Sequence, residues 1–128
     1  MKHKFWNMIA TIRNGQLANK LTVLQSKKKN CEALLNILWD EGFISGYKTS
    51  DIDSSILVIY LKYNNKLPVI TGLSSVSKPS LRVYYSLKQV WKFDVSQGLL
   101  ILSTTRGLLS INTCKRLKIG GEPLVVVK

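Results

Sequence analysis

The chain is short of the residues that most chemistry needs: one histidine, His3, two cysteines, Cys31 and Cys114, three prolines and only seven acidic residues in 128. General acid–base work near neutral pH rests on histidine or on carboxylates whose pKa values are driven apart, and a lone histidine third in the chain does not supply it. No Gly-rich phosphate loop, no Gly-x-Ser-x-Gly and no His-Glu-x-x-His is present, so neither an enzyme, a cofactor nor a small-molecule substrate is expected. An enzymatic reading would need an unforeseen nucleophile such as Cys114. Two distant cysteines and one histidine are too few soft ligands for tetrahedral zinc, so no metal site is expected. They also make no disulfide framework and read as core thiols of a reduced compartment. The longest apolar run, residues 56–61, is far below the roughly 20 residues that cross a bilayer, and no membrane partner is expected. The start, Met1-Lys2-His3-Lys4-Phe5, runs straight into a helical pattern, so neither a signal h-region nor an Arg/Ser-rich presequence is expected.

What is present is apolar residue and positive charge. At 45% hydrophobic and 20% charged, the chain can bury a core, as one domain or two small lobes. Nineteen Lys and Arg against seven Asp and Glu give a formal charge of +12, which points to a polyanionic partner. The charge is lobed. Residues 1–30 carry seven basic residues and no acid, residues 31–65 two basic against five acidic, and residues 66–128 ten basic against two acidic. That asymmetry fits two anion-facing surfaces joined by a more neutral element, and equally one basic surface built from both ends.

Periodicity gives the elements. Phe5, Met8, Ile9 and Ile12 fall at i, i+3, i+4 and i+7 and predict a helix over residues 4–19, followed by a short strand at 21–24. Cys31, Leu34, Leu35 and Leu38 repeat the spacing, with Ser26 as the expected N-cap and Gly42 placed to end the helix. Residues 56–63 read as strand within a hairpin, bounded by Asp51-Ile52-Asp53-Ser54-Ser55 and Asn64-Asn65. Residues 69–76, 81–85, 90–93, 99–104 and 124–127 read as further strands, with a short helix at 112–118. The expected class is α+β: an N-terminal α/β lobe over residues 1–66, with two helices on a small sheet, and a mainly β lobe over residues 67–128.

Four constellations carry chemical interest. Ser103-Thr104-Thr105-Arg106-Gly107 follows an apolar strand, and its hydroxyls suit base edges, phosphates and the ribose 2′-OH. The same residues also make an ordinary Ser/Thr turn. Ser77-Lys78-Pro79-Ser80-Leu81-Arg82-Val83-Tyr84 offers two cations and a ring for phosphate contact and stacking, or else a solvated turn with Tyr84 packed in the sheet. Ser26 with Lys27-Lys28-Lys29 is either a solvated helix start or a phosphate-binding one. Glu122, after Gly120-Gly121, can accept from hydroxyls and base amino groups. Asp51 and Asp53 read as turn residues. Tyr47, Tyr60, Tyr63, Trp39 and Trp91 read as core or subunit contacts rather than stacking platforms.

Several segments in fixed order resemble one family. Ile12-Arg13-Asn14, Ser26-Lys27, Glu41-Gly42-Phe43-Ile44, Ser77-Lys78-Pro79 with Leu81-Arg82-Val83-Tyr84, Ser103-Thr104 with Gly107, and Gly120-Gly121-Glu122 resemble the bacterial-type small-subunit ribosomal protein eight over nearly the full length. The resemblance implies a primary binder of the central domain of small-subunit ribosomal RNA, stabilising a helical junction during assembly, with ribosomal protein five among its neighbours. It implies that Ser103, Thr104 and Thr105 enter the RNA minor groove, with Gly107 shaping the loop, Arg106 beside it and Glu122 orienting it. Lys78, Arg82 and Tyr84 would share that surface, and Arg13, Asn14, Ser26 and Lys27 would make the N-terminal contacts. Two departures stand out: Thr105 replaces the family's usual Ser, and Pro123 is expected at an edge or at a strand's first residue. Fifteen lysines against four arginines, with plentiful Asn, Ile and Leu, suit an AT-rich organellar genome, and a mitochondrial ribosome is the expected location. A plastid or an AT-rich bacterium would leave much the same composition. The alternative function is a basic protein that binds DNA or an anionic membrane surface without recognising shape.

Overall fold

The computed structural model describes residues 2–76, 83–93, 96 and 98–128. They form an α+β protein of two compact units, Met1–Thr71 and Gly72–Lys128. The first runs α1 (Lys2–Leu17), β1 (Thr22–Ser26), α2 (Lys29–Asp40), β2 (Ile44–Thr49), β3 (Ile56–Leu61) and a small hairpin, β4 (Tyr63–Asn64) and β5 (Leu67–Pro68). Its three-stranded sheet has the order β1-β3-β2, antiparallel throughout.

The apolar spacing read from the sequence is the packing seen. Met8, Ile9 and Ile12 of α1, and Cys31, Leu34, Leu35 and Leu38 of α2, are buried, as are Leu57, Ile59 and Leu61, which alternate along β3. Both helices end in a Schellman arrangement, in which amide groups beyond the helix bond back to its last free carbonyls. In α1, Asn19 takes φ +56°, and the amides of Lys20 and Asn19 donate to the carbonyls of Gly15 and Gln16. The helix therefore stops at Leu17, short of residue 19. In α2, Gly42 takes φ +81°, while Phe43 donates to Leu38 and Gly42 to Trp39.

Ser26 is not the cap of α2. It is the last residue of β1, paired with Ile56, and Lys27 N–H goes on to bond the Ser55 carbonyl, so the strand ladder claims the residue first. The N-cap is Lys28, whose side chain makes no capping bond. The stretch before β3 is a hydrogen-bonded turn. Ser50 Oγ accepts from the amides of Ile52 and Asp53, and Asp53 Oδ1 accepts from both the amide and the hydroxyl of Ser55. Asp51 and Asp53 are thus turn residues, and the Ser55 hydroxyl, then its amide, holds the Asp53 carboxyl below its usual pKa.

The second unit runs β6 (Leu73–Ser75), α3 (Leu87–Lys92), β7 (Leu99–Thr104), β8 (Gly107–Ser110), α4 (Ile111–Leu117) and β9 (Glu122–Val127). Its sheet has the order β6-β9-β7-β8, again antiparallel. Val90 from α3, Leu100 and Leu102 from β7, and Ile111 and Cys114 from α4 form one buried cluster. Both cysteines are buried, and neither is in a disulfide.

Three expectations change here. Residues 90–93 are not a strand: Val90 lies in α3, whose start is a full capping box, with the Ser86 hydroxyl accepting from Gln89 N–H and the Gln89 side chain accepting from Ser86 N–H. The strand expected at 69–76 contracts to Leu73–Ser75, because only that stretch pairs with β9. Pro123 is second in β9 and not first. The strand has two neighbours, but β6 pairs only with Val125–Val127, so at Pro123 the ladder is on the β7 side alone, opposite Leu102 where the register shifts, a place that suits a residue with no N–H. Of the strand expected at 81–85, Tyr85 makes an isolated bridge to Gly121, and 81–82 lie outside the described residues.

Candidate nucleic-acid interface

One end of the second unit is assembled around the hairpin joining β7 to β8. Thr104 pairs with Gly107 across the two-residue tip, Thr105-Arg106. Neither tip residue has positive φ, so the reversal is completed by Gly107 at φ +100°, and a Cβ there would meet nothing within 4 Å. Glycine is needed for its backbone conformation alone. Thr104 braces the turn: its Oγ1 accepts from Arg106 N–H at 3.1 Å and donates to the Gly107 carbonyl at 2.9 Å. Among the described residues, the hydroxyls of Ser103 and Thr105 have no such protein partner.

Beside the hairpin runs the start of β9. Glu122 pairs with Ser103, and Gly121 exchanges backbone hydrogen bonds of 2.8 and 3.0 Å with Tyr85. A Cβ on Gly121 would lie 2.6 Å from the Ser103 carbonyl oxygen, and one on Gly120 would collide with that of Tyr85. The paired glycines let the backbone pass between the two, which draws the Tyr84-Tyr85 segment to the hydroxyl loop. The result is an open cleft of about 260 Å³ lined by Tyr84, Ser103, Thr104, Thr105, Gly120, Gly121 and Glu122. Tyr84 is 68% exposed, so its ring is not packed in the sheet, and Tyr85 is the tyrosine that packs on the buried cluster.

In the first unit, Arg13 and Asn14 are exposed on α1, and Ser26 and Lys27 are exposed at the end of β1. Asn14 lines a broad groove between α1 and β1 with Thr11, Gly15, Ala18, Lys20 and Thr22, whereas Arg13, Ser26 and Lys27 do not line it. Lys78 and Arg82 lie outside the described residues.

A family model described as ribosomal protein S8 matches residues 4–127. The chain belongs to the ribosomal protein S8 family. It is 36% identical over 122 residues to the small ribosomal subunit protein uS8 of Alcanivorax borkumensis, covering 95% of this chain and 94% of that protein. Against uS8 of Ehrlichia canis it is 38% identical over 120 residues, covering 92% and 91%, and against uS8c of Chlorella vulgaris 36% over 130 residues, covering 94% of each.

For a member of the S8 family, the cleft offers unpartnered hydroxyls, which both donate and accept, beside a carboxylate and an exposed ring. Such a surface can read hydroxyl-rich or planar groups. Among the described residues no group of His, Cys, Asp and Glu is placed to hold a metal ion. Cys114 belongs to the core cluster, and burial raises its thiol pKa, which leaves little thiolate at neutral pH. Gly120 and Gly121, absent from the site residues read from the sequence, form the cleft floor, and the Gly-Gly pair ahead of a strand was the available signal. Lys20 and Thr11 were also missed, although Thr11, Asn14, Gly15 and Ala18 share one face of α1 by spacing alone.

Proposed function

We propose that the chain is a structural component of the small ribosomal subunit that binds the central domain of its ribosomal RNA and stabilises that domain during assembly, with no enzymatic role. The observation that carries this reading is the gathering of Ser103, Thr105, Tyr84 and Glu122 around one cleft, in an S8-family chain of charge +12. In the proposed complex, Ser103 and Thr105 meet 2′-hydroxyls and base edges in the wide minor groove, where RNA differs from DNA. Thr104 and Gly107 keep the loop in shape, Tyr84 stacks, and Glu122 orients the hydroxyls. Arg106, Lys78 and Arg82 supply phosphate contacts, and Arg13, Asn14, Ser26 and Lys27 supply those of the first unit. Lysine and arginine contacts provide most of the affinity through counterion release, and the hydroxyls provide the discrimination. Ribosomal protein five is the proposed protein neighbour. The lysine-rich composition favours a mitochondrial ribosome, which sedimentation from fractionated organelles tests directly.

The deciding measurement is competition. A central-domain junction fragment is retained by the chain in the presence of excess generic duplex DNA, excess generic RNA duplex or anionic vesicles. Equal displacement by any of these replaces the reading with non-specific binding of polyanions or membrane surface.

A further inference from the structure

A second basic surface lies on α3 and α4, on residues that do not themselves line the cleft, although the start of α3 at Leu87 abuts Gly120 of the cleft. Lys88, Trp91 and Lys92 stand at i, i+3 and i+4, so they share the outer side of α3 while Val90 points into the core. Trp91 is 56% exposed, so of its two expected places, core or subunit contact, the core is excluded. Lys115 of α4 holds its ammonium 5.6 Å from the Trp91 ring centroid, and Arg116 and Lys118 follow at the exposed end of the same helix. Neither helix contains an acidic residue. None of these five cations is ion-paired among the described residues. The basic end of α4 is accounted for by the helix dipole, but Lys88 near the start of α3 and the solvent-facing indole are not.

We infer that this surface is a second RNA site, taking a single-stranded segment whose base stacks on Trp91 and whose flanking phosphates meet Lys88, Lys92 and Lys115. An exposed ring set among cations is how sequence-tolerant single-strand binding works: stacking accepts any base, and the lysines follow the backbone. An acidic peptide would use the charge but would leave the indole without a planar partner. The inference rests on the ribosomal reading for its ligand class and extends it to RNA that the cleft does not hold.

The test uses the whole chain. It is first saturated with the junction fragment, then titrated with a labelled uridine octamer. Trp91→Ala weakens octamer binding by about tenfold, the effect of losing one stacked base, while Trp91→Phe keeps most of it. Lys88→Ala with Lys92→Ala lowers the salt slope by between about one and two contacts' worth. The junction fragment binds all of these variants alike. Unchanged octamer affinity in Trp91→Ala overturns the inference, as does tighter, Trp91-dependent binding of an oligoglutamate of equal charge, which assigns the surface to an acidic protein segment. Failure of the junction fragment itself rejects the ribosomal reading before any octamer is added, and titration of the free chain then decides the Trp91 surface alone.

Discussion

Thr104 differs from its two neighbours in what its hydroxyl is for. Because its Oγ1 is bonded to both Arg106 and Gly107, the side chain is a brace, while Ser103 and Thr105 keep their hydroxyls for a partner. Thr104→Val, which keeps the shape and removes the bonds, is expected to cost about 1 kcal/mol and to expose the Arg106 amide to hydrogen exchange. Thr104→Ser restores protection. Ser103→Ala with Thr105→Ala should leave the melting temperature nearly unchanged and reduce the preference for junction RNA over generic duplex. A Tm loss in that double variant would show that these hydroxyls are structural. Gly107→Ala places a side chain at φ +100° and should destabilise the hairpin by about 1–2 kcal/mol, although no atom blocks the Cβ. At Asp53 the sign is that of a lowered carboxylate: the turn is firm above the ordinary carboxylate range and loosens as pH falls through the depressed folded-state value. The Ser55 amide shift, followed from neutral to strongly acid pH, should move with a midpoint below that of a free aspartate.

The helix α3 shows what makes an element hard to read. Val90-Trp91-Lys92-Phe93 is rich in residues that favour strands, yet Ser86 and Gln89 close a capping box just upstream and Val90 anchors the turn in the core. The Ser-x-x-Gln spacing was legible, and the local β preference concealed it. Ser86→Ala is expected to lower stability by about 1 kcal/mol, checked by denaturant unfolding. Leu102→Ala, in the cluster beneath the hydroxyl loop, should cost about 2–5 kcal/mol. Elements with strong period, such as α1, α2 and β3, were readable because the apolar spacing is the packing itself. Ser26 misled because a good capping residue is also a tolerable strand end, and only pairing with Ile56, distant in sequence, decides between them. The cleft was half legible for the same reason: the hydroxyl run announces itself, but its meeting with Tyr84 depends on a bridge between Tyr85 and Gly121 that no local pattern encodes.

At the scale of the whole molecule the excess of lysine and arginine sets the physics. Affinity for junction RNA should fall steeply and log-linearly with salt, and a slope near zero would reject counterion release as the source of affinity. That expectation needed only composition, whereas the exact boundary at Thr71/Gly72 and the placing of Trp91 in solvent needed coordinates. The self-bonded hairpin tip has a kinetic consequence. A loop already held in one shape surrenders little freedom when it docks, so complex formation should proceed in a single phase, paced by electrostatic encounter, with no slow isomerisation after mixing.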